Sequence, residues 1–132
     1  MASTANPTHR SVEQLALPAW VKPQLATLVK EAPDGSDWLH EIKFDGYRMH
    51  ARLDAGKAQI LTRRGNNWTE KYPAIAKAIA GLPARNAYFD GELCGVRPDG
   101  TTAFNLIQNA TDTGGGSLIF FLFDLLHSTA RT

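Results

Sequence analysis

A chain of 132 residues holds at most one modest domain. Its 43% hydrophobic and 20% charged residues are those of an ordinary globular protein, which excludes an intrinsically disordered one. A formal net charge of +1 excludes a general electrostatic grip on nucleic acid, so any such contact must come from local patches. The single cysteine, Cys94, excludes an internal disulfide and a thiolate metal cluster. Residues 1–10 have no apolar core of the secretory kind, and the longest apolar run, 118–123, is far too short to span a bilayer. The sequence reads as soluble and intracellular, with no membrane partner.

Residues 1–19 are rich in Ala, Ser, Thr and Pro and read as a poorly ordered lead-in, leaving 20–132 as the domain. A weak helical or turn-rich segment over 20–30 is broken by Pro23, and 31–36 is loop by its turn residues. Residues 38–43 read as a strand, with Glu41 and Lys43 about 7 Å apart on one face from the strand rise. After the Asp45-Gly46 turn, Tyr47, Met49, Ala51 and Leu53 alternate with Arg48, His50, Arg52 and Asp54. A turn at 54–57 and a return strand over 58–62 complete an antiparallel meander.

Residues 63–69 form a loop with two cations and a tryptophan. Pro73 suits the first turn of a helix carrying Ile75, Ala78, Ile79 and Leu82 on one stripe, and Gly81 stops it. In the next strand, 87–94, Tyr88, Asp90 and Glu92 share one face and Phe89, Gly91 and Leu93 the other. A loop over 95–102 leads to a short helix, 103–110, with Phe104 and Ile107 turned inward. Gly114-Gly115-Gly116 is a flexible link. Residues 118–126 are apolar on both faces, as in a strand covered from both sides, with Asp124 the one interruption. The fold class is α+β, a mainly antiparallel sheet with packed helices.

The suspicious chemistry is centred on Glu41-Ile42-Lys43-Phe44-Asp45-Gly46-Tyr47-Arg48. A lysine nucleophile must be neutral, and burial or a neighbouring cation favours that form. Alone, these eight residues also fit a hairpin with a solvated lysine at its tip. Three further stretches follow in order: Thr62-Arg63-Arg64-Gly65, Phe89-Asp90-Gly91-Glu92-Leu93, and Phe120-Phe121-Leu122-Phe123-Asp124-Leu125-Leu126.

Together they resemble the covalent nucleotidyltransferases: DNA ligases dependent on ATP or NAD, RNA ligases and mRNA capping enzymes. The run from Trp38 through Arg48, with Thr62 to Thr69 and Tyr72-Pro73, resembles bacterial ATP-dependent DNA ligases of the end-joining type. The resemblance implies part of an ATP-grasp-like nucleotidyltransferase (adenylation) domain. Lys43 would attack the α-phosphate of ATP and carry AMP as a lysyl-AMP phosphoramidate. Glu41 and the backbone beside Ile42 would read the adenine edge, and Phe123 would stack on the ring. Arg48 and Arg63 would lie against the nucleotide, and Glu92 would contact the ribose or hold Mg²⁺. The implied substrate is nicked or broken double-stranded DNA, with end-joining repair proteins as partners, in a monomer of the bacterial cytoplasm at the nucleoid.

Beside this stand the plainer readings. Phe123 and Cys94 fit a core, Arg64 a solvated loop, His40 and His50 structural places, and Asp90 a turn or strand end. Two later motifs of such enzymes, a Glu-Gly pair and a Lys-x-Lys strand, do not occur in this sequence, and no lysine follows Lys77. The expectation is therefore a fragment that carries the nucleophile but ligates poorly or not at all. The alternatives are a non-catalytic nucleotide-binding or interaction module, and an RNA ligase or capping enzyme.

Overall fold

The computed structural model describes residues 16–109 and 117–129; most of the predicted lead-in and Gly114-Gly115-Gly116 lie outside them. Five strands form one sheet. Strand β1 (Tyr47–Asp54) and strand β2 (Lys57–Thr62) make a hairpin in which Asp54 pairs with Lys57. Its two turn residues, Ala55 and Gly56, have φ of 48° and 86°. Both positions of this kind of turn need positive φ, because only then does its twist match that of the strands.

Strand β3 (Asn86–Val96) is the centre of the sheet. It pairs antiparallel with β1 from Tyr47↔Leu93 to Asp54↔Asn86. Strand β5 (Leu118–Thr129) lies antiparallel on its other side, with register shifts between Tyr88 and Phe89 and between Asp90 and Gly91. The short strand β4 (Thr102–Ala103) pairs with Gly95 and Val96. The predicted α+β, mainly antiparallel architecture is therefore present.

Period two sorts β1 as expected. Met49, Ala51 and Leu53 enter a core with Ile60, Tyr72, Ile79, Leu93 and Ile107. Helix α1 (Pro73–Ala80) starts with proline in its first turn, where no N–H is needed, and buries Ile79. Gly81 ends it in right-handed geometry, its N–H shared between the Lys77 and Ala78 carbonyls. Ala78, placed on the apolar stripe by its spacing, is exposed. Helix α2 (Phe104–Asn109) buries Ile107, whereas Phe104, expected inward, is half exposed. No helix among the described residues is long and apolar enough to cross a membrane.

Two expectations are overturned. Residues 38–43 form no strand, and Leu39 and Ile42 are 93% and 80% exposed. A strand exists only by pairing, and no described strand pairs with this segment. Its Glu41 and Lys43 are thus not fixed side by side by a pleat. In β5 the apolar pattern is not covered on both faces: Leu118 is buried, but Ile119, Phe123, Leu125 and Leu126 are exposed.

Candidate functional site

The antiparallel register places the polar residues of β1 and β3 opposite one another. Arg48 faces Glu92, His50 faces Asp90, and Arg52 faces Tyr88. All six lie on the sheet face away from the main core, because each is one residue out of phase with Met49, Ala51, Leu53 or Leu93. Phe121 of β5 pairs with Glu92 and extends this face.

Arg48 is held by Asp90 in a two-pronged pair, Nε to Oδ1 at 2.6 Å and Nη2 to Oδ2 at 2.5 Å. Planar guanidinium and carboxylate groups match in this fork, which fixes orientation as well as energy. The guanidinium also lies over the Phe123 ring, 5.3 Å from its centroid. The bond to Asp90 raises the arginine's already high pKa. Behind this pair His50 is buried; its Nδ1 lies 2.6 Å from the Tyr88 hydroxyl and its Nε2 3.4 Å from Asp90 Oδ1. Burial lowers the His50 pKa, so the ring is neutral at pH 7.

Glu92 is partly buried, and burial pushes its carboxyl above the usual range. Arg48, the Gly46 backbone N–H and Lys43 each oppose that shift. The carboxylate therefore senses both cations of the Lys-x-Asp-Gly-x-Arg stretch. Lys43 itself is exposed. Its neighbour Phe44 stacks on Phe121 with centroids 4.0 Å apart, and the Asp45 N–H donates to Thr102 Oγ1 at 3.0 Å. These two anchors hold the irregular segment that carries the lysine against the open face. Gly46 follows them because a Cβ there would strike the Leu93 carbonyl and the Cys94 sulfur.

At the same end of the sheet a cleft of about 560 Å³ is lined by Arg48, Arg63, Arg64, Glu92, Tyr47, Trp68 and Phe104, among others. Tyr47 makes edge-to-face contacts with Trp68 and Phe104, so the wall is aromatic. Thr62 shapes the rim: its Oγ1 accepts from the Arg64 and Asn66 N–H groups, and its carbonyl accepts from Gly65. Gly65 has φ of 85°, and the resulting tight turn leaves Arg63 and Arg64 exposed at the mouth. Cations beside aromatic walls suit a flat anionic ligand.

Of the residues singled out in the sequence, Arg48, Arg63 and Glu92 line this cleft, with Lys43 in electrostatic reach of Glu92. Glu41, Ile42 and Phe123 do not line it. Phe123 instead supports Arg48 from below. Asp90, read as a turn or strand-end residue, is 5% exposed and grips Arg48. Tyr88 and His50 join it, and Arg64, read as a solvated charge, lines the cleft. The signal for Asp90 was present: the alternation of β3 put it on the Glu92 face. Only the β1–β3 register shows that Arg48 lies within its reach.

This sheet face thus carries Arg48 and Glu92 beside a cation-rimmed aromatic cleft, with the exposed Lys43 on the adjoining segment. Residues 19–131 match the family model described as "ATP dependent DNA ligase domain". The chain belongs to this family of ligase enzymes. It is 40% identical over 124 residues to the multifunctional non-homologous end joining protein LigD of Pseudomonas aeruginosa, covering 92% of this chain and 15% of that protein. A probable DNA ligase of Mycolicibacterium gilvum is 30% identical over 120 residues, 81% of this chain and 24% of the relative. The crystal structure of the ligase domain of Mycobacterium tuberculosis LigD matches with a TM-score of 0.59 and 31% identity, covering 69% of this chain and 30% of that one. A mycobacterial DNA ligase D complexed with ATP and MES matches at 0.58 and 28%. The chain thus spans about a third or less of the proteins it resembles.

Proposed function

We propose that this chain carries the nucleophile-bearing part of an ATP-dependent DNA ligase of the bacterial end-joining type, with an ATP-grasp-like nucleotidyltransferase architecture. The observation that carries this is the pairing of Arg48 with Glu92 at the cleft, beside the anchored segment Phe44–Asp45 that follows Lys43. In this reading the neutral Lys43 amine forms a bond to the α-phosphorus of ATP while the bond to pyrophosphate breaks, and the amine proton passes to solvent. Arg48 and Arg63 meet the negative charge of the phosphates. Glu41 and the Ile42 backbone read the adenine edge, and Phe123, whose ring carries the Arg48 guanidinium, serves the nucleotide through that arginine. Catalysis of this kind rests on positioning and charge stabilisation.

Mg²⁺ commonly takes one or two protein carboxylates and completes its shell from phosphates and water. Glu92 fits that part: it is partly buried, its carboxyl is raised by burial, and added positive charge would stabilise it. Among the described residues no group of three or more His, Cys, Asp and Glu side chains forms a separate metal cage. Bound there, Mg²⁺ would neutralise phosphate charge. The AMP would pass to the 5′-phosphate of nicked or broken duplex DNA, in a cytoplasmic, nucleoid-associated monomer working with end-joining repair proteins.

Incubation with α-labelled ATP and Mg²⁺, followed by denaturing electrophoresis, tests the first step. The expected result is an acid-labile adduct that Lys43→Ala abolishes. An adduct that persists in Lys43→Ala overturns the assignment of the nucleophile; ATP binding with no adduct favours a non-catalytic nucleotide-binding module.

A further inference from the structure

We propose that His50 and Tyr88 are positioning residues for Arg48, acting through Asp90; the functional part of this rests on Arg48 serving the nucleotide. The Val21 backbone N–H donates to the Tyr88 hydroxyl oxygen at 3.0 Å. The hydroxyl hydrogen is then directed at His50 Nδ1, 2.6 Å away. That leaves the ring proton on Nε2, which approaches Asp90 Oδ1 at 3.4 Å without completing a hydrogen bond and has no other partner, so the carboxylate is its only neighbouring acceptor. The opposite tautomer would set an Nε2 lone pair against a carboxylate, with no donor between them. Asp90 Oδ1 is also the oxygen that accepts from Arg48 Nε.

The result is a chain of groups from the Val21 backbone through Tyr88, His50 and Asp90 to the guanidinium. His50 and Tyr88 are both buried, so a displaced partner is not replaced by solvent. Neither residue lines the cleft. Their contribution is to back the carboxylate whose two oxygens both accept from Arg48. Supporting groups of this sort set the geometry of the residues they orient. A plain core pair would need no polar link to the site; this one ends on an arginine that lines the cleft.

The test uses the whole chain labelled with ¹⁵N in histidine and arginine side chains, at pH 7.5. His50 is expected as the Nε2–H tautomer with Nδ1 unprotonated, and the Arg48 Nε–H as a slowly exchanging signal. In Tyr88→Phe and His50→Leu that signal should exchange about tenfold or more faster, from loss of a buried partner. His50→Gln, whose amide can still donate toward Asp90, should stay near the parent rate. Far-UV circular dichroism identifies the folded variants; Tyr88→Phe removes only a hydroxyl and carries the test if His50→Leu does not fold. An Nδ1–H tautomer in the parent, or unchanged Arg48 exchange in either folded variant, overturns the proposal. Titrating ATP into the same samples separates the two readings. Weaker ATP binding in Tyr88→Phe links the network to the nucleotide. No ATP response in the parent speaks against the nucleotide reading, while Arg48 exchange still reports on positioning.

Discussion

Arg48 and Asp90, 42 residues apart in sequence, form the one forked ion pair on the open sheet face among the described residues. Asp90 is buried while Arg48 keeps partial contact with solvent. Replacing only the carboxylate leaves a half-buried cation facing an amide. Asp90→Asn should therefore cost about 3 kcal/mol, as for breaking a buried pair from one side. In urea unfolding the midpoint should fall with little change in slope. An unchanged midpoint would show that Phe123 and solvent suffice to hold Arg48.

The β1–β2 turn places Ala55 at φ 48°, a conformation that a Cβ disfavours. Its N–H is already satisfied by the Arg85 carbonyl and the Asn86 side chain, so the backbone position is fixed from outside the hairpin. Ala55→Asn should stabilise the chain by about 0.5–1 kcal/mol, since asparagine tolerates this region. Thermal unfolding followed by circular dichroism checks the sign. A lower melting temperature would count against the turn geometry.

Gly91 and Gly100 should respond to alanine for different reasons. A Cβ on Gly91 would meet the Phe121 carbonyl and the Phe120 ring across the β3–β5 ladder, and backbone cannot swing aside. Gly100 has φ of 86° but nothing within 4 Å of the added atom. Gly91→Ala should lose about 3 kcal/mol or more through overpacking, Gly100→Ala only about 1 kcal/mol through backbone strain. Equal losses in denaturant titrations would contradict the β3–β5 register.

Two groups give opposite pH trends. Unfolded His50 takes its proton near pH 6.5, whereas burial makes the folded ring take it at lower pH. Between the two values the unfolded state holds more protons, so the His50 contribution is full above pH 6.5 and is lost as pH falls through the lowered value. The groups facing it are Asp90 and Tyr88 from β3, with Arg48 on its own strand. For Glu92, burial raises the folded pKa above 4.5, so in the window above that value stability falls as pH rises. Subtracting the stability curves of His50→Gln and Glu92→Gln from the parent should give differences of opposite slope. The same sign in both would refute these assignments.

Cys94 is buried on the face behind Gly46, and burial pushes its thiol up to about 12, aided by Glu92 and Asp45. The thiolate is the reactive form. A chromogenic disulfide reagent at pH 8 should modify the native chain only at its unfolding rate, and immediately in denaturant. Rapid labelling of the native chain would show that the site end of β3 opens locally.

The elements legible in the sequence were those whose own neighbours along the chain decide them. The alternation of β1, the proline start and glycine stop of α1, and the two faces of β3 are local facts. Residues 38–43 carried the same period-two signal, but whether a strand forms depends on a partner, which periodicity does not report. The apolar pattern of β5 likewise told what the side chains are, not what covers them. Arg48 and Glu92 were legible as a motif and are register partners that line the cleft, while Lys43 stands exposed near them. Asp90 was visible as a residue of the Glu92 face but not as the partner of Arg48, because cross-strand register is a property of two segments at once. Phe104 was assigned inward from helix spacing, whereas its ring went to the cleft wall against Tyr47.

Strand β5 has a further consequence, for behaviour in concentrated solution. Its twelve residues pair with β3 on one side, and no other described strand takes up its second row of backbone donors and acceptors. Ile119, Phe123, Leu125 and Leu126 are exposed along the same strand, on one face or the other. A long apolar strand with an unpaired edge is a template for another chain. With a net charge of only +1, little electrostatic repulsion keeps copies apart. Among the described residues this edge is where a second copy would pair, and Leu125→Lys, which adds a charge to the exposed strand, should raise solubility at neutral pH.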